Sequence, residues 1–150
     1  MKYMKINWGG DLILVDREVI NNKLIDLEEY INDLSEYENL ELNKYNNDKL
    51  LRRYLERTLH LAIESILDIG NHIISDKRFR NPNTNSEIIE ILAENEIIKE
   101  NEEKYIKMAK FRNIIVHDYA EVDGEIVVNI INNELDDLKK IFNWYKEYIA

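Results

Sequence analysis

The segment from Phe111 to Tyr119 reads Phe-Arg-Asn-Ile-Ile-Val-His-Asp-Tyr and gathers an arginine, a histidine and a tyrosine within nine residues. A guanidinium holds an anion through parallel N–H donors. An imidazole, with an unperturbed pKa of about 6.5, takes up or releases a proton near neutral pH. Arg112 and Tyr119 are seven residues apart and share a helix face, while Asn113 reaches His117 across one turn. His117 stands five residues from Arg112, off that face in an ideal helix. The two therefore line one site only if the helix end loosens or a second chain contributes. Without context, the same pair could be cationic side chains stabilising the negative end of a helix dipole.

A second constellation runs through His60, Glu64, Asp68 and His72, each four residues from the next. That spacing stacks side chains that can bind a divalent metal along one helix face. At about 100° per residue, however, the row falls opposite the apolar stripe of Leu59, Ile66 and Ile73. We read it as a polar face, solvated or turned toward a second subunit, since no other Asp/His pair suggests a partner motif for a metal. Arg52, Arg53 and Arg57 on the same segment either supply a local positive field or act as ordinary i,i+4 partners of Glu56 and its neighbours.

These residues need helices to position them, and the patterning predicts helices. Asp16 to about Asn39 carries Val19, Ile20, Leu24, Leu27, Ile31 and Leu34 at spacings of three and four, with Asp16 as a cap. Glu38 to Asn47 reads as a polar loop, and Asn47 or Asp48 caps the strongest helix, Lys49 to Ser75. Asn81-Pro82-Asn83 is a turn cluster. A short helix follows from Ser86 to Asn95, capped by Thr84 or Ser86, and the motif helix opens at Asn101 or Glu102 and runs to about Val116. Asp123-Gly124 signals a turn. Val127 to Ile131 could extend as a strand but would have no partner, so it reads as the lead-in to a last helix, about Asn133 to Tyr148. The expected fold is all-α, an up-and-down bundle of four to five helices.

Composition agrees with this. The chain has 150 residues, 45% hydrophobic and 33% charged, which suits one folded domain rather than a disordered chain. One proline and four glycines leave few helix breaks, and the absence of cysteine excludes disulfides, thiolate metal sites and a cysteine nucleophile. No apolar run approaches the roughly 20 residues that span a bilayer. Leu12 to Val15 is too short for a signal core and runs into charged residues, so a cytoplasmic location is expected. The net charge of −10 argues against non-specific binding to duplex nucleic acid but allows a local anion site built from a few arginines, or a basic protein partner.

The motif Arg112-x4-His117-x-Tyr119, with Arg-Asn before the aliphatics and His-Asp-Tyr after them, is similar to the signature of HepT-like toxins of the HEPN superfamily. Ala62 to Ile74 resembles the long second helix of that family, and Ser86 to Glu100 its short helix and acidic connector. The resemblance covers about residues 16 to 148, within one helical domain expected over 16–150, and leaves residues 1–15 as an N-terminal extension. It implies a ribonuclease that needs no metal or other cofactor, with Arg112 and His117 catalytic and the RNA 2′-hydroxyl as nucleophile. It also implies a homodimer, or a higher symmetric oligomer, whose chains bring their motifs to one cleft. The implied partner is a minimal nucleotidyltransferase antitoxin that adds AMP to Tyr119. Asn113, Glu64 and Asp68 are expected to support the site, Glu64 and Asp68 by orienting Arg112 or His117.

Two function classes follow. One is an RNA-cleaving toxin; the other is a non-catalytic helical subunit that docks on a nucleotidyltransferase and helps hold nucleotide. The intact Arg112/His117 pair favours the first, because a scaffold has no need of it. Cleavage of RNA by the purified chain is expected to persist in EDTA. Loss on chelation, restored by a divalent ion, would move the chemistry to the row from His60 to His72.

Overall fold

A computed structural model of the chain describes residues 9–117 and 122–150, with side chains described over 17–115 and 122–150. The described residues form seven α-helices and no strand: α1 (Gly9–Ser35), α2 (Leu42–Asn47), α3 (Lys49–Lys77), α4 (Asn85–Glu94), α5 (Glu102–His117), α6 (Gly124–Asn133) and α7 (Leu135–Ile149). The all-helical bundle is as expected, but four to five helices is too few. Both additional helices come from segments where the local pattern was weak. α2 lies in the stretch read as a polar loop, where a single residue, Tyr45, is fully buried and hydrogen-bonds Glu56 of α3. α6 is a helix in its own right rather than a lead-in. Asp123 accepts from the Glu125 N–H at 3.0 Å to cap it, and Val127, Val128, Ile130 and Ile131 are buried at helical spacing. α1 begins at Gly9 rather than Asp16.

Helix α3 is the axis of the fold, in contact with all six other helices. Asp48 caps it by accepting from the Leu51 N–H at 3.0 Å. Arg78, in the left-handed region at φ 59°, ends it, and the Phe79 N–H returns to the Ile74 carbonyl at 3.0 Å. α1 runs antiparallel to α3, as the contacts Lys23–Asp68 and Tyr37–Tyr54 require. α4 starts with Thr84, whose hydroxyl accepts from the Glu87 N–H at 3.1 Å, while the Glu87 carboxylate takes the Asn83 N–H. The motif helix α5 lies against α3 and α4 and is anchored by Tyr105, which donates to the Asp137 carbonyl of α7 at 2.6 Å.

Gly70 allows the closest approach in the core. A Cβ there would stand 2.8 Å from Leu92 Cδ1 and 2.9 Å from Ile88 Cγ2, both on α4, and 3.1 Å from the Tyr145 hydroxyl on α7. That hydroxyl donates to the Ile66 carbonyl at 2.9 Å, so it has little freedom to move aside. Gly70→Val is expected to lower stability by about 1–3 kcal/mol through overpacking. A reduced urea midpoint with helical circular dichroism retained would show this; an unchanged midpoint would mean that α4 slides outward without cost.

Candidate functional site

Arg112 projects from α5 toward α3, where its Nη2 donates to Glu64 Oε2 at 3.1 Å. The Arg112 side chain keeps 24% of its surface accessible. Its Nη1 makes a long contact of 3.5 Å with Asn113 Oδ1, which also accepts from Asn85 Nδ2 of α4 at 3.4 Å. Side chains of α3 and α5 thus meet at the guanidinium, and α4 joins through Asn113. Its Nε is buried and without a hydrogen-bond partner among the described residues. A guanidinium carries five donors in a planar fork. A single good bond to a carboxylate fixes its plane and leaves most of that fork uncommitted.

Of the other residues singled out from the sequence, Asn113 is beside Arg112 and exposed. Asp68, one turn along α3 from Glu64, pairs with Lys23 of α1 at 3.5 Å and so braces α1 rather than the motif. His117 is the last residue of α5. Its side chain, like Asp118 and Tyr119, lies outside the described residues. The row from His60 to His72 does not converge: Glu64 turns to α5 and Asp68 to α1. Among the described residues no group of three or more His, Cys, Asp or Glu side chains is arranged to hold a metal ion. The reading of this row as a polar face also needs correction at its first member, because His60 is buried, with 9% of its surface accessible. The row lies opposite one apolar stripe, but α3 is the central helix and neighbours cover it on more than one side.

What reasoning from sequence missed is the place of His60, buried beside the carboxylate that holds Arg112. Its Nε2 faces the same Glu64 oxygen that Arg112 uses, at 3.7 Å, and its Nδ1 stands 3.3 Å from the Arg57 guanidinium. Burial holds its pKa below the usual histidine value; Glu64 pulls it back up, and Arg57 and Arg112 push it further down. The i,i+3 and i,i+4 spacing of Arg57, His60 and Glu64 was the available signal. Arg52 instead donates to the Asn46 carbonyl at 3.0 Å, so of the three arginines on this stretch Arg57 joins the cluster.

Residues 27–143 match the family model for ribonuclease HepT-like proteins. The chain belongs to the HepT-like family. It is 29% identical over 105 residues to the mRNA nuclease HepT of Shewanella oneidensis, covering 69% of this chain and 79% of that one. It is 27% identical over 119 residues to the tRNA nuclease HepT of Aphanizomenon flos-aquae, covering 79% and 81%. Among solved structures, the tri-AMPylated Shewanella oneidensis HEPN toxin in complex with MNT antitoxin matches with a TM-score of 0.77 at 26% identity, over 86% of this chain and 97% of that one. Ribonuclease activity is thus the property of the family. Among the described residues of this HepT-like chain, no helix is long and apolar enough to cross a membrane.

The buried His60 also makes stability depend on pH. Unfolded, it titrates near 6.5; folded, its pKa is lower. Between those two values the unfolded chain binds more protons, so stability rises with pH through that window and is lost as pH falls below about 6.5. The urea midpoint of the wild type is expected to drop more steeply from pH 7 to pH 5 than that of His60→Gln. Parallel slopes would show that His60 titrates alike in both states.

Proposed function

We propose that this chain is a metal-independent endoribonuclease toxin that cleaves RNA at a site built on Arg112 and His117, with Asn113 and Glu64 in support. The observation that carries the reading is the guanidinium of Arg112, tied to Glu64 through Nη2 while 24% of the side chain stays accessible. A phosphodiester placed on its open donors is held in fixed orientation, and the charge that builds on the phosphoryl oxygens is offset. The RNA 2′-hydroxyl attacks the adjacent phosphorus, forming the P–O2′ bond as the P–O5′ bond breaks. One imidazole accepts the proton from O2′ and another delivers a proton to O5′. The products are a 2′,3′-cyclic phosphate and a 5′-hydroxyl, and DNA, without the 2′-hydroxyl, is not cut.

Two imidazoles call for two copies of the motif, hence a two-fold dimer. The groove between α5 and α6, with a volume of about 580 Å³, supports this. Its floor includes Met108 and Phe111, and Ile114 and Ile126 on its sides are 45% and 41% exposed. Lys107 and Lys110 line its α5 wall, and Asp123 and Glu125 stand on the other. A second copy turned by a two-fold axis sets lysines against carboxylates and covers the isoleucines. Arg112→Ala and His117→Ala should each lower RNA cleavage at least about 100-fold and end growth inhibition, with the helical spectrum retained. A mixture of the two variants keeps one arginine and one imidazole per dimer and should stay inactive; recovery on mixing would show that one imidazole suffices and overturn the two-imidazole step. A fully active monomer in light scattering would rule out the dimer.

The Shewanella toxin is described as tri-AMPylated and in complex with MNT antitoxin. We extend that control to this chain at Tyr119. AMP on a tyrosine two residues after His117 in sequence adds negative charge and bulk that would compete with RNA phosphate. Tyr119→Phe is expected to keep much of the ribonuclease activity yet escape silencing by a co-expressed nucleotidyltransferase. Intact mass should show AMP units on the wild type and none on Tyr119→Phe. Equal silencing of both, with no added mass, would leave docking as the mode of inhibition.

A further inference from the structure

We infer that His60 is a positioning residue for the Arg112 site, acting through Glu64, and that Arg57 sets the tautomer in which it does so. The inference rests on the reading of Arg112 as the phosphate ligand. A guanidinium has donors and no acceptor. The Arg57 Nη1 contact at 3.3 Å therefore requires His60 Nδ1 to accept, and in the neutral ring the proton then resides on Nε2. Nε2 is buried and has no hydrogen-bond partner among the described residues, a state that native structures seldom tolerate without a reason. The group it faces is Glu64 Oε2, 3.7 Å away, which also accepts from Arg112 Nη2 at 3.1 Å.

The result is a chain of oriented groups, from Arg57 through His60 and Glu64 to Arg112. The first three stack along α3 and the last reaches across from α5. At 3.7 Å the imidazole N–H does not bond the carboxylate but presents its positive end to it. This biases the Glu64 rotamer toward the orientation that meets Arg112. Neutrality matters. A protonated His60 would form an ion pair with Glu64 and compete with Arg112 for the same oxygen, and the two arginines flanking it oppose that charge. Tyr30 of α1, whose phenol is held above its usual pKa mainly by burial and by Asp26 and Glu29, also feels Arg57 and Glu64. The charged groups that act on His60 are thus Glu64, Arg57 and Arg112.

Positional isosteres test the role. A glutamine side chain can place an N–H near the Nε2 position, whereas asparagine reaches only as far as Nδ1. With the full-length protein and a labelled, random-sequence single-stranded RNA pool, His60→Leu is expected to lower kcat by about 10- to 100-fold with a smaller change in KM. His60→Gln should recover most of that loss and His60→Asn little of it. In the Glu64→Gln background, His60→Leu should cost nothing more, because the path to Arg112 is already cut. Equal impairment of the Leu, Asn and Gln variants, or none in any, overturns the assignment. Nitrogen-15 NMR of the RNA-free protein gives a reading independent of activity. It should find His60 protonated on Nε2, lose that preference in Arg57→Leu, and show the Arg112 Nε–H resonance shifted in His60→Leu. If these NMR results hold while the wild type cuts no RNA, the ribonuclease reading fails and the positioning role stands. A wild type that cuts RNA, with an Arg112 resonance indifferent to His60, overturns the positioning role alone.

Discussion

The burial of α3 is the constraint on which the other placements depend. Its apolar face, from Leu55 through Leu59, Ile63, Ile66 and Ile73, is wide enough to seat α1 on one side and α4 and α7 on another. Fully burying one such side chain contributes on the order of 1.5–3 kcal/mol, so the set as a whole dictates where the shorter helices go. Gly70 lets α4 approach, and α4 in turn sets the position of α5 by packing along it. The place of Arg112 is therefore a consequence of core packing two steps removed. A site built this way sits on helices rather than loops, which suits chemistry that needs a guanidinium held in one orientation.

Charge is organised against the average of the molecule. The chain carries a net −10, yet around Glu64 two arginines face one carboxylate and a histidine kept neutral by burial. In the proposed reading this cluster takes a phosphate locally, against a net-acidic chain that disfavours long polyanions. The ion pair of Glu64 and Arg112 is partly exposed, so its value lies less in stability than in geometry. Truncating either partner would leave the other half-buried and uncompensated.

Similarity within the family speaks to fold and to the class of chemistry, and less to the substrate. One relative is named an mRNA nuclease and another a tRNA nuclease, at comparable identity to this chain. A site that grips phosphate and uses the RNA 2′-hydroxyl reads the sugar–phosphate backbone, which all RNA shares. Under the proposed mechanism, choice among RNAs falls to surfaces beyond the phosphate site.

By itself the sequence determined the helices with strong periodicity and the motif on one of them. α3, α4, α5 and α7 fall within one or two residues of where pattern and caps put them, because a 3.6-residue period and a capping side chain are local facts. Where local signal was thin, tertiary contact decided. α2 exists because Tyr45 finds Glu56 and the close approach of Gly124, and α6 because its apolar residues find a core to cover them. The same division runs through the site. Sequence spacing put His60, Glu64 and Asp68 in a row, and Glu64 could be named as a support for Arg112. Only the packing of α1 and α5 against α3 sent Asp68 to Lys23, Glu64 to Arg112, and His60 out of water. Spacing along one helix defines which residues are neighbours on it, whereas which helix covers them depends on burial summed over the whole chain.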